Sequence, residues 1–216
     1  MRHSKLTPLA ALALAALMPS AVLAEGNMME TGLVWTPPSG KSGDIANSHA
    51  ALLTSEDGAA MRLKTSGFEP GHVITVWFVA VQRPENCLER PCPPTDAMGR
   101  SDEVNSVAAL GGSAVANENG EISVAGFMPS GAVESNFFDT ELTDPTTAEF
   151  HLALHSHGPL IPEMAADMLS SYRGGCTDES IPPYYPASAA SFGMPGPNDC
   201  STTQVAIFMQ DQRLAN

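Results

Sequence analysis

Three of the six histidines in the chain fall within ten residues, "FHLALHSHGP", 150–159. Imidazoles gathered this closely bind metal ions, move protons, or only hydrogen-bond, and spacing separates these roles. Phe150, Leu152 and Leu154 alternate with His151, Ala153 and His155, the period of a strand with one apolar face. At a rise of about 3.3 Å per residue, His155 and His157 stand roughly 6.6 Å apart on one face, and both can reach one ion at about 2.0–2.1 Å. His151 and His155 are roughly 13 Å apart on a straight strand, too far to share an ion. A helix would bring them together at i, i+4, but Pro159 and the strict alternation argue against a helix. The candidate metal pair is therefore His155 and His157, with zinc or copper as the ion. A third ligand must come from His72, His151, His49 or a carboxylate such as Asp139, Glu141 or Glu149. The methionines Met128, Met164 and Met168 offer soft thioethers for copper, although packing a core is their ordinary role.

No catalytic residue emerges. Ser156 and Ser171 lack the Gly-x-Ser-x-Gly elbow of a hydrolase nucleophile. "DTELTD", with Asp139, Glu141 and Asp144, supplies oxygen ligands without the spacing and glycine of a calcium loop. Gly111–Gly112 lie outside any strand-to-helix context, so they make no phosphate loop. Trp35, Trp77, Tyr184 and Tyr185 can line a groove for a carbohydrate or peptide. For Trp77 the core is the more ordinary place, and for the tyrosine pair a cover over a loop.

The elements that must position these residues are mostly strands. "VITVWFVAVQ", 73–82, is apolar on both faces and rich in β-branched and aromatic residues, as a central strand is. "HAALLTSEDGAAMRLKTSG" reads as a hairpin turning at Asp57–Gly58, and "SAVANENGEISVAGFMP" as a second one turning at Asn119–Gly120. "TQVAIFMQ" reads as the last strand. One helix is predicted over "IPEMAADMLSSYRGG", opened by Pro162 and Glu163 and stopped by Gly174–Gly175, with Ala165, Met168, Leu169 and Tyr172 on one face. Long polar loops fill 83–106 and 130–147. This pattern predicts a mainly β chain: an antiparallel β-sandwich or barrel with one short helix and long disulfide-tied loops.

The first residues read as a secretory signal peptide. Arg2, His3 and Lys5 precede an apolar run from Leu6 to Met18, and "AVLA" places the expected cleavage after Ala24. The run is short for a membrane span, and it lacks the cysteine of a lipoprotein anchor. Residues 25–216 then form one exported domain, periplasmic or extracellular, with no integral membrane association. Loss of Arg2 and Lys5 leaves 8 basic against 24 acidic residues, a net charge of about −16. Such a balance excludes nucleic acid and anionic lipid surfaces as partners, since both require cationic patches. Four cysteines in an exported chain read as two disulfides, which removes them as thiolates. Of three connectivities, Cys87–Cys92 with Cys176–Cys200 closes each bridge within one Pro-rich segment.

Three stretches, "GHVITVWFVAVQRPENC" with the short Cys ring after it, "EFHLALHSHGPLIP", and the "GGC" after a helical segment, resemble an uncharacterised family of exported bacterial proteins. The resemblance covers roughly the central half of the exported chain. It implies one exported domain and no catalytic residue, because that family has no assigned activity. The His-x-His strand is also similar to one in copper/zinc superoxide dismutase, another exported β-sandwich. That family has further histidine ligands downstream, and no histidine follows His157 here, so its activity is not carried over. The function read from the sequence is binding, without catalysis, of an unidentified ligand or protein partner. A metalloprotein built on His155 and His157, and a surface-assembly protein using exposed sheet edges, are the alternatives.

Overall fold

A computed structural model describes residues 26–209. The expected signal segment, with its cleavage after Ala24, lies outside them. Nine strands are present: β1 (Asn27–Thr31), β2 (Val34–Trp35), β3 (His49–Ser55), β4 (Gly58–Thr65), β5 (His72–Val81), β6 (Ser106–Val115), β7 (Ile122–Pro129), β8 (Glu149–Pro159) and β9 (Ser201–Phe208). They pair antiparallel into two sheets, ordered β1-β3-β4-β7 and β2-β9-β8-β5-β6. The chain is thus the predicted antiparallel sandwich.

The inward faces meet in one core. Ile74, Val76 and Phe78 of β5 and Phe150, Leu152 and Leu154 of β8 pack against Leu52, Met61 and Leu63 of the other sheet. β5 is buried along nearly its whole length on both faces, as its continuous apolar run requires. Its outward residues Trp77, Val79 and Val81 join a second apolar cluster, roofed by Cys92, Ala97, Met98, Phe137 and Tyr172 from the long loops. The five-stranded sheet is therefore covered on both sides, and the outer cover is loop.

Asp57–Gly58 turns β3 into β4 as expected, in register Ser55↔Gly58 to His49↔Lys64. Asn119–Gly120 also makes a tight turn: the Gly120 N–H donates to the Asn117 carbonyl (2.9 Å) and the Asn117 N–H to the Glu121 carbonyl (3.0 Å). The strands it joins do not form the expected hairpin, however. β6 pairs with β5 in one sheet and β7 with β4 in the other, so the turn is a corner between layers. Two glycines permit the crossing, since a Cβ on Gly126 would stand 1.8 Å from the Gly111 carbonyl oxygen.

Among the described residues the α-helices are four short pieces, α1 (Pro94–Gly99), α2 (Ser101–Val104), α3 (Ala165–Met168) and α4 (Ala187–Ser191), beside a few 3-10 turns. The single longer helix predicted from residue 162 shrinks to a 3-10 turn, Pro162–Met164, followed by α3. Ser170 Oγ donates to the Ala166 carbonyl (2.7 Å) and Ser171 Oγ to the Asp167 carbonyl (2.8 Å). Such side-chain bonds compete with helix propagation. Met168 and Tyr172 still turn inward, as their spacing predicted. Both predicted disulfides form, Cys87–Cys92 and Cys176–Cys200. Among the described residues no helix is long and apolar enough to cross a membrane.

Candidate functional site

The outward face of β8 presents Glu149, His151, Ala153, His155 and His157 in a row, opposite the Phe150–Leu152–Leu154 core face. Two carboxylate or imidazole groups at each end, separated by Ala153, make two distinct environments under one loop cover.

At the first end Glu149 is wholly buried and saturated with donors. Its Oε1 accepts from the Cys92 N–H (2.7 Å) and from His151 Nε2 (2.8 Å). Its Oε2 accepts from Arg90 Nε (3.0 Å) and from a second Arg90 nitrogen (2.9 Å). Burial pushes the Glu149 carboxyl up, but the bonds from His151 and Cys92 and the charge of Arg90 outweigh it and hold the group below its ordinary value. An ionised acceptor fixes the proton of His151 on Nε2. Nδ1 then has no partner among the described residues, and it is not a sealed, unsatisfied atom. The His151 side chain lines the space beyond.

That space is a cavity of about 690 Å³, partly open to solvent and mostly apolar. Its floor is the outer sheet face: Val79, His151, Ala153, Val205 and Ile207. One wall is the disulfide loop, with Pro91, Pro93, Pro94 and Met98; another is Trp35–Pro38 of the leading segment. The third wall is a tyrosine stack, in which Tyr172 and Tyr185 lie 5.1 Å apart at 21° and Tyr184 follows at 5.4 Å. Burial raises the Tyr172 phenol well above its ordinary range and raises Tyr185 as well, so both phenols stay neutral.

At the second end His155 and His157 come together as predicted, with ring centroids 4.8 Å apart at 89°. His157 Nδ1 donates to the Gly174 carbonyl (2.8 Å), which can only accept. Nε2 therefore accepts from Thr75 Oγ1 (2.9 Å), and Thr75 Oγ1 in turn accepts from Trp77 Nε1 (2.9 Å). Burial lowers the His157 ring to about 4, against the Gly174 bond that raises it. His155 is lowered well below its ordinary value, first by burial and then by His157. It stacks on Tyr172 at 4.3 Å and 25°. Both rings are neutral near pH 7.

The group that converges on this pair is the Cys176–Cys200 disulfide. Cys176 Sγ lies 3.5 Å from His157 Nδ1 and 3.9 Å from His155 Nε2, and the ligand atoms of all four residues lie within 4.8 Å of one another. His72 and His151 do not join them. His72 sits half-buried at the rim, paired with Pro159, and His151 is held by Glu149. His49 faces Glu30 on the other sheet (3.6 Å), and Asp139 and Glu141 are exposed. Sequence reasoning weighed Glu149 only as a metal ligand. Its i, i+2 place beside His151 on one strand face was the available signal for their pairing. The approach of Arg90, Cys92 and the second disulfide depends on long-range contacts and had no local signal.

Comparison with family models, with curated proteins and with solved structures finds no match for this chain.

Proposed function

We propose that the chain is a non-catalytic binding module for a small apolar molecule carrying one hydrogen-bond donor, such as a phenol or an alcohol. The observation that carries this reading is the cavity against β8, mostly apolar and with His151 in its floor. Its volume lies within the about 300–1,000 Å³ usual for small-molecule sites, and apolar walls with few placed polar groups are how such sites work. Here the placed group is His151 Nδ1. With Nε2 donating to Glu149, Nδ1 of the neutral ring is an acceptor. His151 hydrogen-bonds no described hydroxyl or thiol, so no nucleophile–base pair is built on the histidine of this cavity, which favours binding there. The two disulfides fit an oxidising extracellular compartment, and an exported carrier of this kind in the periplasm or outside the cell is the setting we infer.

Titration with N-phenyl-1-naphthylamine, read by fluorescence, tests the reading. We expect saturable 1:1 binding. Ala153→Trp places an indole on the cavity floor and should weaken that binding at least tenfold while leaving the circular dichroism unchanged. Absence of saturation, or equal affinity in a folded Ala153→Trp protein, would reject the cavity as the site.

A further inference from the structure

The histidine pair and its disulfide form a second cluster beside the cavity, which shares Tyr172 and Thr202 with it. In a tetrahedral zinc centre, sulfur ligands stand at about 2.3 Å and imidazole nitrogens at about 2.0–2.1 Å from the ion, which sets ligand atoms roughly 3.3–3.8 Å from one another. The Cys176 Sγ contacts to His157 Nδ1 and His155 Nε2, 3.5 and 3.9 Å, already fall near that range. The whole four-residue set lies within 4.8 Å. The two sulfurs, bonded to each other, are too close to act as separate ligands. We propose that reduction of Cys176–Cys200 turns this cluster into a Cys2His2 site for zinc, so that disulfide and metal are alternative occupants of one position.

The chemistry balances with a dithiol as the reductant. One dithiol thiolate attacks a disulfide sulfur and forms a mixed disulfide, and its second thiol then displaces the remaining cysteine. The dithiol gives two electrons and two protons and leaves as its own disulfide; Cys176 and Cys200 leave as thiols. Zinc then binds both sulfurs and releases those two protons.

The surroundings suit ligation. When His157 binds through Nδ1, its proton moves to Nε2 and the bond to Gly174 is given up. Nε2–H then donates to Thr75 Oγ1, now an acceptor from both His157 and Trp77 Nε1. When His155 binds through Nε2, its Nδ1–H faces Thr202 Oγ1 at 3.5 Å. Outer partners of this kind fix ligating imidazoles in orientation. The other cluster that contains a disulfide, Cys87, Cys92 and Asp96, offers only three groups and no imidazole. Its Asp96 is already bound to the Leu88 N–H and to Arg100.

Cobalt(II), a spectroscopic stand-in for zinc, tests the proposal in the full-length exported protein reduced with dithiothreitol and desalted under argon. One cobalt per chain should bind with the visible bands of tetrahedral geometry and thiolate charge transfer, and one equivalent of zinc should bleach them. The untreated, disulfide-bonded protein should show neither. Cys176→Ser/Cys200→Ser should abolish the signal. His155→Ala can be checked for folding in its oxidised form, and after reduction it should bind cobalt at least tenfold more weakly. If the reduced chain unfolds without metal, cobalt or zinc should restore its circular dichroism. The proposal is overturned if the reduced protein shows no tetrahedral bands, or stays unfolded in excess metal. Equal cobalt binding by the oxidised protein, bands kept by the double serine variant, or unchanged affinity in reduced His155→Ala would each overturn it too.

Discussion

His151 and His157 stand on the same face of the same strand, six residues apart, and are buried by opposite means. His151 sits beside an ionised carboxylate that collects donors from Arg90, Cys92 and the imidazole itself, and one ring nitrogen is left over. His157 is hydrogen-bonded through both of its nitrogens by neutral groups. A charge can be buried when its hydrogen-bonding capacity is filled, and a titratable ring can be buried when it stays neutral. Only the first arrangement stands on the floor of a cavity with a ring nitrogen free of described partners, and this supports the binding proposed at that end of β8. The neutral end is closed while its sulfurs are joined.

The sharpest way to break this comparison is to remove the buried charge. Glu149→Ala leaves the Arg90 guanidinium, the Cys92 N–H and His151 Nε2 without their acceptor. Taking one partner from a buried ion pair costs about 3–5 kcal/mol. Arg90 keeps part of its hydration, with its side chain 45% exposed, which puts the expected loss near about 3 kcal/mol. Urea denaturation at pH 7 measures it. A loss below about 1 kcal/mol would mean that Glu149 is not the charged hub of this end.

Acid separates the two ends by pH window. His157 titrates near 4 when folded and at its ordinary 6.5 when unfolded, so between these values the unfolded chain binds the extra proton. The stability this contributes is present above about pH 6.5 and is lost as pH falls toward 4. Between pH 7 and pH 5 the loss from this ring comes to about 2 kcal/mol, and His155, lowered in the same direction, adds to it. Glu149 is also lowered, but from 4.5, so its contribution is lost only below that value. Urea midpoints at pH 7 and pH 5 should differ accordingly, and His157→Gln should flatten the difference. A stability independent of pH over this range would show that the ring is charged or hydrated in the folded state.

How much of this was visible in the sequence follows from how local each signal is. The alternation of Phe150, Leu152 and Leu154 with the histidines specified both the strand and its buried face, because period two is a property of ten consecutive residues. The same geometry paired His155 with His157. Both disulfides could be read because each closes one segment. Asn119–Gly120 announced a turn, but a turn dipeptide says nothing of which sheet the next strand joins. Gly111 and Gly126 let the two strands pass closely where they part, a contact that no local window announces. Met168 and Tyr172 kept their inward facing while the helix around them was shortened by Ser170 and Ser171. The cavity was the least visible feature. Its walls come from segments as distant as Trp35, Pro91 and Tyr185, and no window of sequence holds them together.

The smallest expected effect bears on what distinguishes the open end of β8 from the closed one, the unused nitrogen of His151. Naphthalene, 2-naphthol and 2-naphthoate can compete with N-phenyl-1-naphthylamine for the same walls while differing at one polar group. One net hydrogen bond of about 1 kcal/mol favours 2-naphthol over naphthalene by roughly fivefold. His151→Phe keeps an aromatic ring on the floor and should erase that preference while leaving naphthalene binding nearly unchanged. Equal affinity for naphthalene and 2-naphthol in the unaltered protein would remove Nδ1 as a recognition atom without touching the cavity. A preference for 2-naphthoate would place a proton on Nδ1 and reverse the polarity of the ligand group. The site would then select an anion, with the charge of His151 balanced by its ligand and the charge of Glu149 by Arg90.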